Sequence, residues 1–325
     1  YGVSYIDCMD RFHENAPSTD PRQRNGSGPY LKTEIRKPEG LIDIPRRFSR
    51  YGIRPEWFRK DLASIPRPDL ILVTSMMTYW APGVKETIRM IKKVFPDTPV
   101  VLGGIYATLC REHALGFSGA DEVVSGPCED RSLELVSRHT QWHTTPQFDP
   151  GDLDTYPLPA FDLQRKIGYI PLLTSRGCPF SCEYCASHFL SPTRLERSAE
   201  SVVEEIRYWY KKYDMSDFAL YDDAFLVNAE THALPILERW VKTGISVRIH
   251  TPNALHIRGI NRETARLMFS AGFKTLRLGL ETADATSHRT IDSKVTLSEF
   301  RQAAAILKEV GFDAGQVGVY LLVGL

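Results

Sequence analysis

Three cysteines, Cys178, Cys182 and Cys185, fall within eight residues of the stretch "PLLTSRGCPFSCEYCASHFL" (171–190), with the spacing C-x3-C-x2-C. Thiolates are soft donors that suit iron–sulfur clusters, zinc or copper(I). A structural zinc ion wants four ligands in a tetrahedron. His188, three residues past Cys185, is the neighbour that would complete a Cys3His set, while Cys8, Cys110 and Cys128 lie far away in the chain. Zinc sites of this kind usually pair two ligands with two more from a separate turn, and the triad is not so divided. The other solution is a four-iron cluster held by three cysteines, which leaves one iron open. S-adenosylmethionine can chelate that iron through its amino and carboxylate groups. Both readings put the metal on Cys178, Cys182 and Cys185.

The elements that must position this triad form a regular series. From about residue 166 the pattern predicts strands at 169–175, 217–222, 246–251, 274–280 and 315–323, with helices near 198–212, 230–243, 261–271 and 297–310. Such β/α repetition suits a full or partial barrel whose function lies at the C-terminal ends of the strands. The cysteines follow the first strand and would sit at that end. Ahead of them, "GVSYID", "PDLILVTSMM", "TPVVLGGIYA" and "ADEVVSG" read as short strands. Alternated with amphipathic helices, they predict a doubly wound, Rossmann-like parallel sheet. A polar, proline-rich segment at 11–55 is too long for an ordinary connection and reads as an insertion. The expected organisation is a sheet domain over 1–145, a proline- and aspartate-rich linker over 146–165, and a barrel over 166–325. Because no strand precedes "GVSYID" and no closing helix follows "LLVGL", the expectation is a piece of a longer protein, with an open barrel edge after 315–323.

With Tyr184 before the last cysteine, the triad resembles that of the radical S-adenosylmethionine superfamily. The resemblance covers about residues 165–325 and implies a partial (β/α)6 TIM-like barrel, a [4Fe–4S] cluster and reductive cleavage of S-adenosylmethionine to a 5'-deoxyadenosyl radical. It also implies S-adenosylmethionine-binding roles for Tyr184, for Asp222 and Asp223 after the second strand, for Asn253 after the third and for Glu281 after the fourth. Arg248 and His250 are placed near the third strand's end as further polar groups of the barrel mouth. His232, His256 and His288 are read as surface residues.

The first domain resembles the cobalamin-binding domain found ahead of many such barrels. The resemblance implies that Thr74, Ser75 and Thr78 and the pair Gly103–Gly104 line the nucleotide tail of cobalamin. Glycines let a large ligand approach the backbone, and hydroxyls satisfy its polar edge. The "SGPCED" turn (125–130) departs from the family's Gly-Glu turn at Pro127 and Cys128. The Asp-x-His-x-x-Gly segment that supplies a cobalt-ligating histidine is absent, so cobalt would have no protein imidazole below it. The implied activity is cobalamin-dependent methylation or rearrangement of an unactivated carbon in a small molecule or peptide, with flavodoxin or ferredoxin as electron donor. A sheet domain serving only as scaffold, a methylthiotransferase-like modification of RNA or protein, and a zinc-binding interaction module are the rival readings. The methylthiotransferase reading lacks the second cysteine triad it requires.

Composition narrows the class further. Lysine plus arginine and aspartate plus glutamate both number 40 in 325 residues, so no net field draws the chain to nucleic acid or a membrane surface. No apolar run reaches the roughly 20 residues of a membrane span. Cysteine crowding of this kind reads as a metal or redox site in a reducing cytoplasm, not as a disulfide framework, and such a cluster implies anaerobic, oxygen-sensitive chemistry.

Overall fold

The computed structural model describes residues 2–17, 30–282 and 295–323. The chain divides into two compact units: Tyr1–Pro146 with Ala160–Ile167, and Gln147–Pro159 with Gly168–Leu325. The proline-rich connector is therefore shared, its first half joining the second unit and its second half the first.

The first unit begins without the strand expected of "GVSYID". Residues 2–7 are irregular, and Val3 and Tyr5 are exposed. No neighbouring strand among the described residues pairs with this segment, and alternation alone cannot make a strand. The 11–55 stretch contains a short antiparallel ribbon of β1 (Lys32–Glu34) and β2 (Ser49–Tyr51). Its start is held by His13, which stacks on Trp57 and lies 3.4 Å from the Asp61 carboxylate. Helix α1 (Pro55–Ser64) opens on a proline, which suits a first turn whose N–H groups have no helical acceptor.

Beyond α1 come β3 (Ile71–Ser75), α2 (Ala81–Val94), β4 (Val100–Gly103), α3 (Gly104–Leu109), α4 (Arg111–Phe117), β5 (Glu122–Val123) and α5 (Glu129–His139). The three strands pair in parallel in the order β3-β4-β5. Central β4 is buried along its length, as a continuous apolar run on an inner parallel strand should be. Ile88 of α2, Val100 and Leu102 of β4 and Tyr106 of α3 form the core, each aliphatic member contributing about 1.5–3 kcal/mol by leaving water. Edge strand β3 alternates instead, and the face carrying Leu72 and Thr74 is exposed.

In the second unit, β6 (Ile170–Leu172) is followed by β7 (Ser175–Arg176), α6 (Ser187–Leu190), β8 (Leu195–Glu196), α7 (Ala199–Tyr213), β9 (Asp217–Leu220), α8 (Ala233–Lys242), β10 (Arg248–His250), α9 (Arg262–Ser270), β11 (Phe273–Glu281), α10 (Leu297–Val310) and β12 (Val317–Leu321). Strands β6, β9, β10, β11 and β12 form one parallel sheet in chain order, the arrangement of a partial barrel. The single strand expected at 169–175 is split: β6 stops at Leu172, and β7 turns away to pair antiparallel with β8. The helices carry their own stops and starts. The Ser198 side chain caps α7, Asn261–Thr264 and Thr296–Glu299 form reciprocal capping boxes on α9 and α10, and Gly311 ends α10 at φ 117°. Trp209, Trp240, Met268 and Leu307 are buried on the inner faces of these helices. Among the described residues β6 and β12 are the two edges of the sheet, and Tyr320 and Leu321 on β12 are exposed. No described helix is long and apolar enough to cross a membrane.

Candidate active site

The cysteine loop leaves β7 through Gly177, whose φ is +80°. A Cβ there would lie 2.8 Å from the Thr193 carbonyl oxygen and 3.0 Å from that of Ser191, so only glycine turns the chain at this point. Arg194 fixes the turn. Its guanidinium donates to the Gly177 carbonyl at 3.0 Å, the Ala224 carbonyl at 3.2 Å and the Glu196 carboxylate at 2.9 Å. One side chain thereby ties the entry of the cysteine loop to the turn after β9.

Cys182 is buried, Cys178 and Cys185 are half-buried, and no disulfide joins any of the six cysteines. The Cys185 thiol donates to Ser187 Oγ at 3.2 Å. Tyr184, beside it, is half-buried. Among the described residues no three His, Cys, Asp or Glu side chains gather as ligands of a single ion would. His188 packs on Phe189, with ring centroids 3.9 Å apart.

The paired aspartates after β9 point to different surroundings. Asp222 is buried, and its carboxylate accepts from Thr174 N at 3.0 Å, Thr174 Oγ1 at 2.6 Å and Ser175 Oγ at 2.6 Å. Burial pushes this carboxyl above its ordinary range against the pull of those hydrogen bonds. Asp223 is exposed and takes hydrogen bonds from Ser187 and the Gly177 backbone; burial of part of its carboxyl and the charge of Asp222 raise its pKa. Direct ligand contact was expected of either residue, and the accessible carboxylate is that of Asp223.

The histidine expectations need correction. His232 is a buried residue whose Nε2 lies 2.9 Å from Thr174 Oγ1, and burial lowers its pKa against the pull of Glu196 and Asp222. It is the N-cap residue of α8, directly before the buried Ala233 and Leu234. His256 is half-buried and stacks on Phe180 of the cysteine loop, with ring centroids 4.4 Å apart. His288 lies outside the described residues.

Asn253, after β10, donates its side-chain amide to the Tyr221 carbonyl at 2.7 Å and so joins the ends of the second and third sheet strands. Arg248 does not lie near the strand end as expected. It is the first residue of β10 and pairs with Asp217, the first residue of β9. His250 also reaches Asp217, at 3.3 Å. Arg248 therefore stands at the N-terminal end of the sheet, where β9 and β10 begin. Glu281 closes β11 with φ +62°, a strained value for a residue other than glycine. Its carboxylate approaches Gly279, where a Cβ would lie 3.2 Å from Oε1.

In the first unit, Thr74 is exposed at the end of β3, Ser75 is buried and donates to the Met77 carbonyl at 3.2 Å, and Thr78 opens a single 3-10 turn. Gly103 caps α3, and a Cβ on it would lie 3.3 Å from Cys128 Sγ. Gly104 has φ +86°, and its Cβ would come within 2.5 Å of Thr74 Oγ1 and 2.8 Å of the Ser75 carbonyl. The sequence reading gives Gly104 the task of leaving space for a ligand; in the structure that space is filled by β3. Open space lies instead at Gly126, with φ +85° and no atom within 4 Å of a Cβ. An arginine-rich cleft of about 360 Å³ lies elsewhere, over Val123–Ser125 and bordered by Arg111, Arg131 and Arg138.

Sequence reasoning missed Thr174, Ser175, His232, Ser187 and Arg194. The first two stood in plain view as "TSRGC", directly before the triad. His232 and Arg194 carried no local signal, since Thr174 lies 58 residues from the first and Ala224 30 residues from the second.

Residues 172–325 match the Radical SAM superfamily, and residues 53–136 match the B12 binding domain. An uncharacterised methyltransferase of Pyrococcus horikoshii is 27% identical over 315 residues, covering 88% of this chain and 66% of the relative. The hopanoid C-2 methylase of Rhodopseudomonas palustris is 29% identical over 205 residues, covering 59% and 38%. The structure of the radical S-adenosylmethionine methyltransferase TsrM from Kitasatospora setae, with cobalamin and a [4Fe-4S] cluster bound, superposes with a TM-score of 0.68 at 19% identity, over 83% of this chain and 61% of that one. That likeness is one of fold. The chain spans about half the length of the curated relatives it matches.

Proposed function

The chain is a radical S-adenosylmethionine superfamily protein with a B12-binding domain ahead of the radical domain, and from that premise we propose that it is an enzyme methylating an unactivated carbon of a small molecule or peptide. Its cofactors are a [4Fe–4S] cluster, S-adenosylmethionine and cobalamin. When bound, these supply one-electron cleavage of a sulfonium, a carbon-centred radical and a methyl carrier. The methylases and methyltransferases among its relatives support methyl transfer.

The observation that carries the reading is the donor set of the cysteine loop. Cys178, Cys182 and Cys185 would hold the cluster, and no fourth cysteine stands near them in sequence. Gly177 and Arg194 keep the loop at the C-terminal end of the strands. Asp223 offers an accessible carboxylate to an ammonium group, Asn253 and Glu281 stand on the neighbouring strand ends, and Tyr184 lies inside the loop.

In the first unit, Thr74, Ser75, Thr78 and Gly103 at the ends of β3 and β4, with the open turn at Gly126, are the residues that would hold cobalamin. Three of the unit's four histidines are engaged, His13 by Asp61 and Trp57, His113 by Tyr106 and His139 by Glu122, and the fourth, His143, is exposed beyond the end of α5. Cobalamin is expected to bind without histidine nitrogen coupling in its paramagnetic spectrum. A flavodoxin or ferredoxin is the class of partner that would deliver the electron.

Anaerobic reconstitution tests the reading. Cys178→Ala, Cys182→Ala and Cys185→Ala should each lose the cluster's visible absorbance and S-adenosylmethionine cleavage, while Cys110→Ala keeps both. Full iron retention in Cys182→Ala would end the cluster assignment. Failure of the cluster-loaded protein to bind hydroxocobalamin at tens of micromolar would withdraw methyl transfer through cobalt.

A further inference from the structure

Four polar side chains, Thr174, Ser175, Asp222 and His232, are together almost completely buried where β6 gives way to the cysteine loop. Burying polar groups is costly unless each finds a partner, and here they satisfy one another. Asp222 Oδ1 receives the hydroxyls of Thr174 and Ser175, both at 2.6 Å, while Oδ2 receives the Thr174 amide at 3.0 Å. With its one hydroxyl proton given to Asp222, Thr174 Oγ1 must accept from His232, whose Nε2 is 2.9 Å away. His232 Nδ1 then faces Glu196 of β8 at 4.0 Å. The chain of contacts runs from β8 through the N-cap residue of α8 to the ends of β6 and β9.

Its consequence lies one residue further on. Beyond β9 the chain bends at Asp223, so that with Asp222 drawn inward and buried, Asp223 is exposed. Asp223 is then held from the other side by the Gly177 backbone and Ser187, and Ser187 accepts from the Cys185 thiol. Resting on the functional reading above, we propose that the Thr174–Asp222–His232 network is a positioning element of the S-adenosylmethionine site. Asp222 itself does not touch the ligand; it fixes the loop entry and aims Asp223 at it. An apolar cluster of the same size would hold the strands together as well or better, but it would not orient the adjacent carboxylate.

The test compares Thr174→Val, which keeps the shape and removes the hydroxyl, with Thr174→Ser, which restores it. Cluster-loaded, full-length proteins are titrated with S-adenosylmethionine, followed by equilibrium binding and by the change the ligand makes in the reduced cluster's EPR spectrum. Thr174→Val should keep its iron and bind about ten-fold or more weakly, with a smaller spectral change, as expected for one lost orienting bond. Thr174→Ser should recover affinity to within about two-fold. A Thr174→Val protein of lower thermal stability but unaltered affinity and spectrum would reduce the network to a structural one and overturn the proposal. Loss of iron from a folded Thr174→Val protein would overturn it too, by making the network part of cluster assembly. Should Thr174→Val not fold, Asp223→Asn decides: the exposed variant must show the same loss of affinity at normal stability, and unchanged binding refutes the proposal. The wild type is the control for the functional reading. A cluster-loaded wild type that binds no S-adenosylmethionine sinks that reading and this one with it.

Discussion

At the end of β4, Gly104 comes so close to β3 that a Cβ would collide with Thr74 and Ser75. At the end of β6, Thr174 and Ser175 are instead held by the carboxylate of Asp222 and the imidazole of His232. The first unit shapes its strand ends with backbone, the second with buried side chains. The cysteines do not divide this way: Cys8, Cys110 and Cys128 of the first unit are half-buried, as are Cys178 and Cys185 of the second, and Cys182 is buried. Burial together with nearby Asp7 pushes the Cys8 thiol up to about 11, so it stays a thiol at neutral pH. A strand end built from backbone offers hydroxyls and room, which suit a bulky ligand held by many weak contacts. One built from buried charged and polar groups offers orientation, which suits a small charged ligand and a metal.

The largest effect that would break this contrast is expected at Gly104. Gly104→Val adds a branched side chain at positive φ against β3 and should destabilise the first unit by about 3 kcal/mol or more. Cobalamin binding should be lost with it, while the iron content of the reconstituted protein is retained. Thermal unfolding and iron analysis of the same sample read both, and parallel loss of iron would show that the two strand ends are not built independently.

A smaller effect sharpens the contrast within the second unit, between its two sheet ends. Asp217, at the N-terminal end, is buried, which raises its pKa, but bonds from His250 and Arg248 outweigh burial and hold it below the ordinary 3.8. Its stabilising contribution is therefore complete above that value and is lost as pH falls through the lowered one. Asp217→Asn should cost about 2 kcal/mol at neutral pH. The difference from wild type in thermal midpoint should close below the ordinary carboxylate range. It should leave S-adenosylmethionine affinity unaltered, since function gathers at the opposite strand ends; a ten-fold loss of affinity would contradict the division between the ends.

The smallest effect belongs to Gly126. Its φ is +85° but no atom lies within 4 Å of a Cβ, so Gly126→Ala should cost only about 1 kcal/mol, through the backbone alone. A further drop in hydroxocobalamin affinity, out of proportion to that cost, would mark Gly126 as the glycine that makes room for the ligand in place of Gly104. Unchanged affinity would remove it from the site.

The sequence by itself determined the elements of the second unit. Strands and helices from 198 to 321 fall where apolar periodicity puts them, because each stretch buries a single face against a regular neighbour and is stopped by its own caps, such as Asn261 and Gly311. The same locality made the cysteine triad legible, since all three thiols belong to one loop and need no distant partner to be recognised. "GVSYID" failed for the converse reason: a strand exists only where another strand pairs with it, and alternation carries no information about the neighbour. Arg248 was misplaced along its strand because periodicity does not say which end of a short strand a residue occupies. Only the tertiary structure decided how the two aspartates of "YDDAF" divide. Asp222 is turned inward by Thr174 and Ser175, 48 and 47 residues before it, and Asp223 is left facing outward. Hydrogen bonds of that kind depend on distance and angle between elements, which no local pattern of residue types encodes.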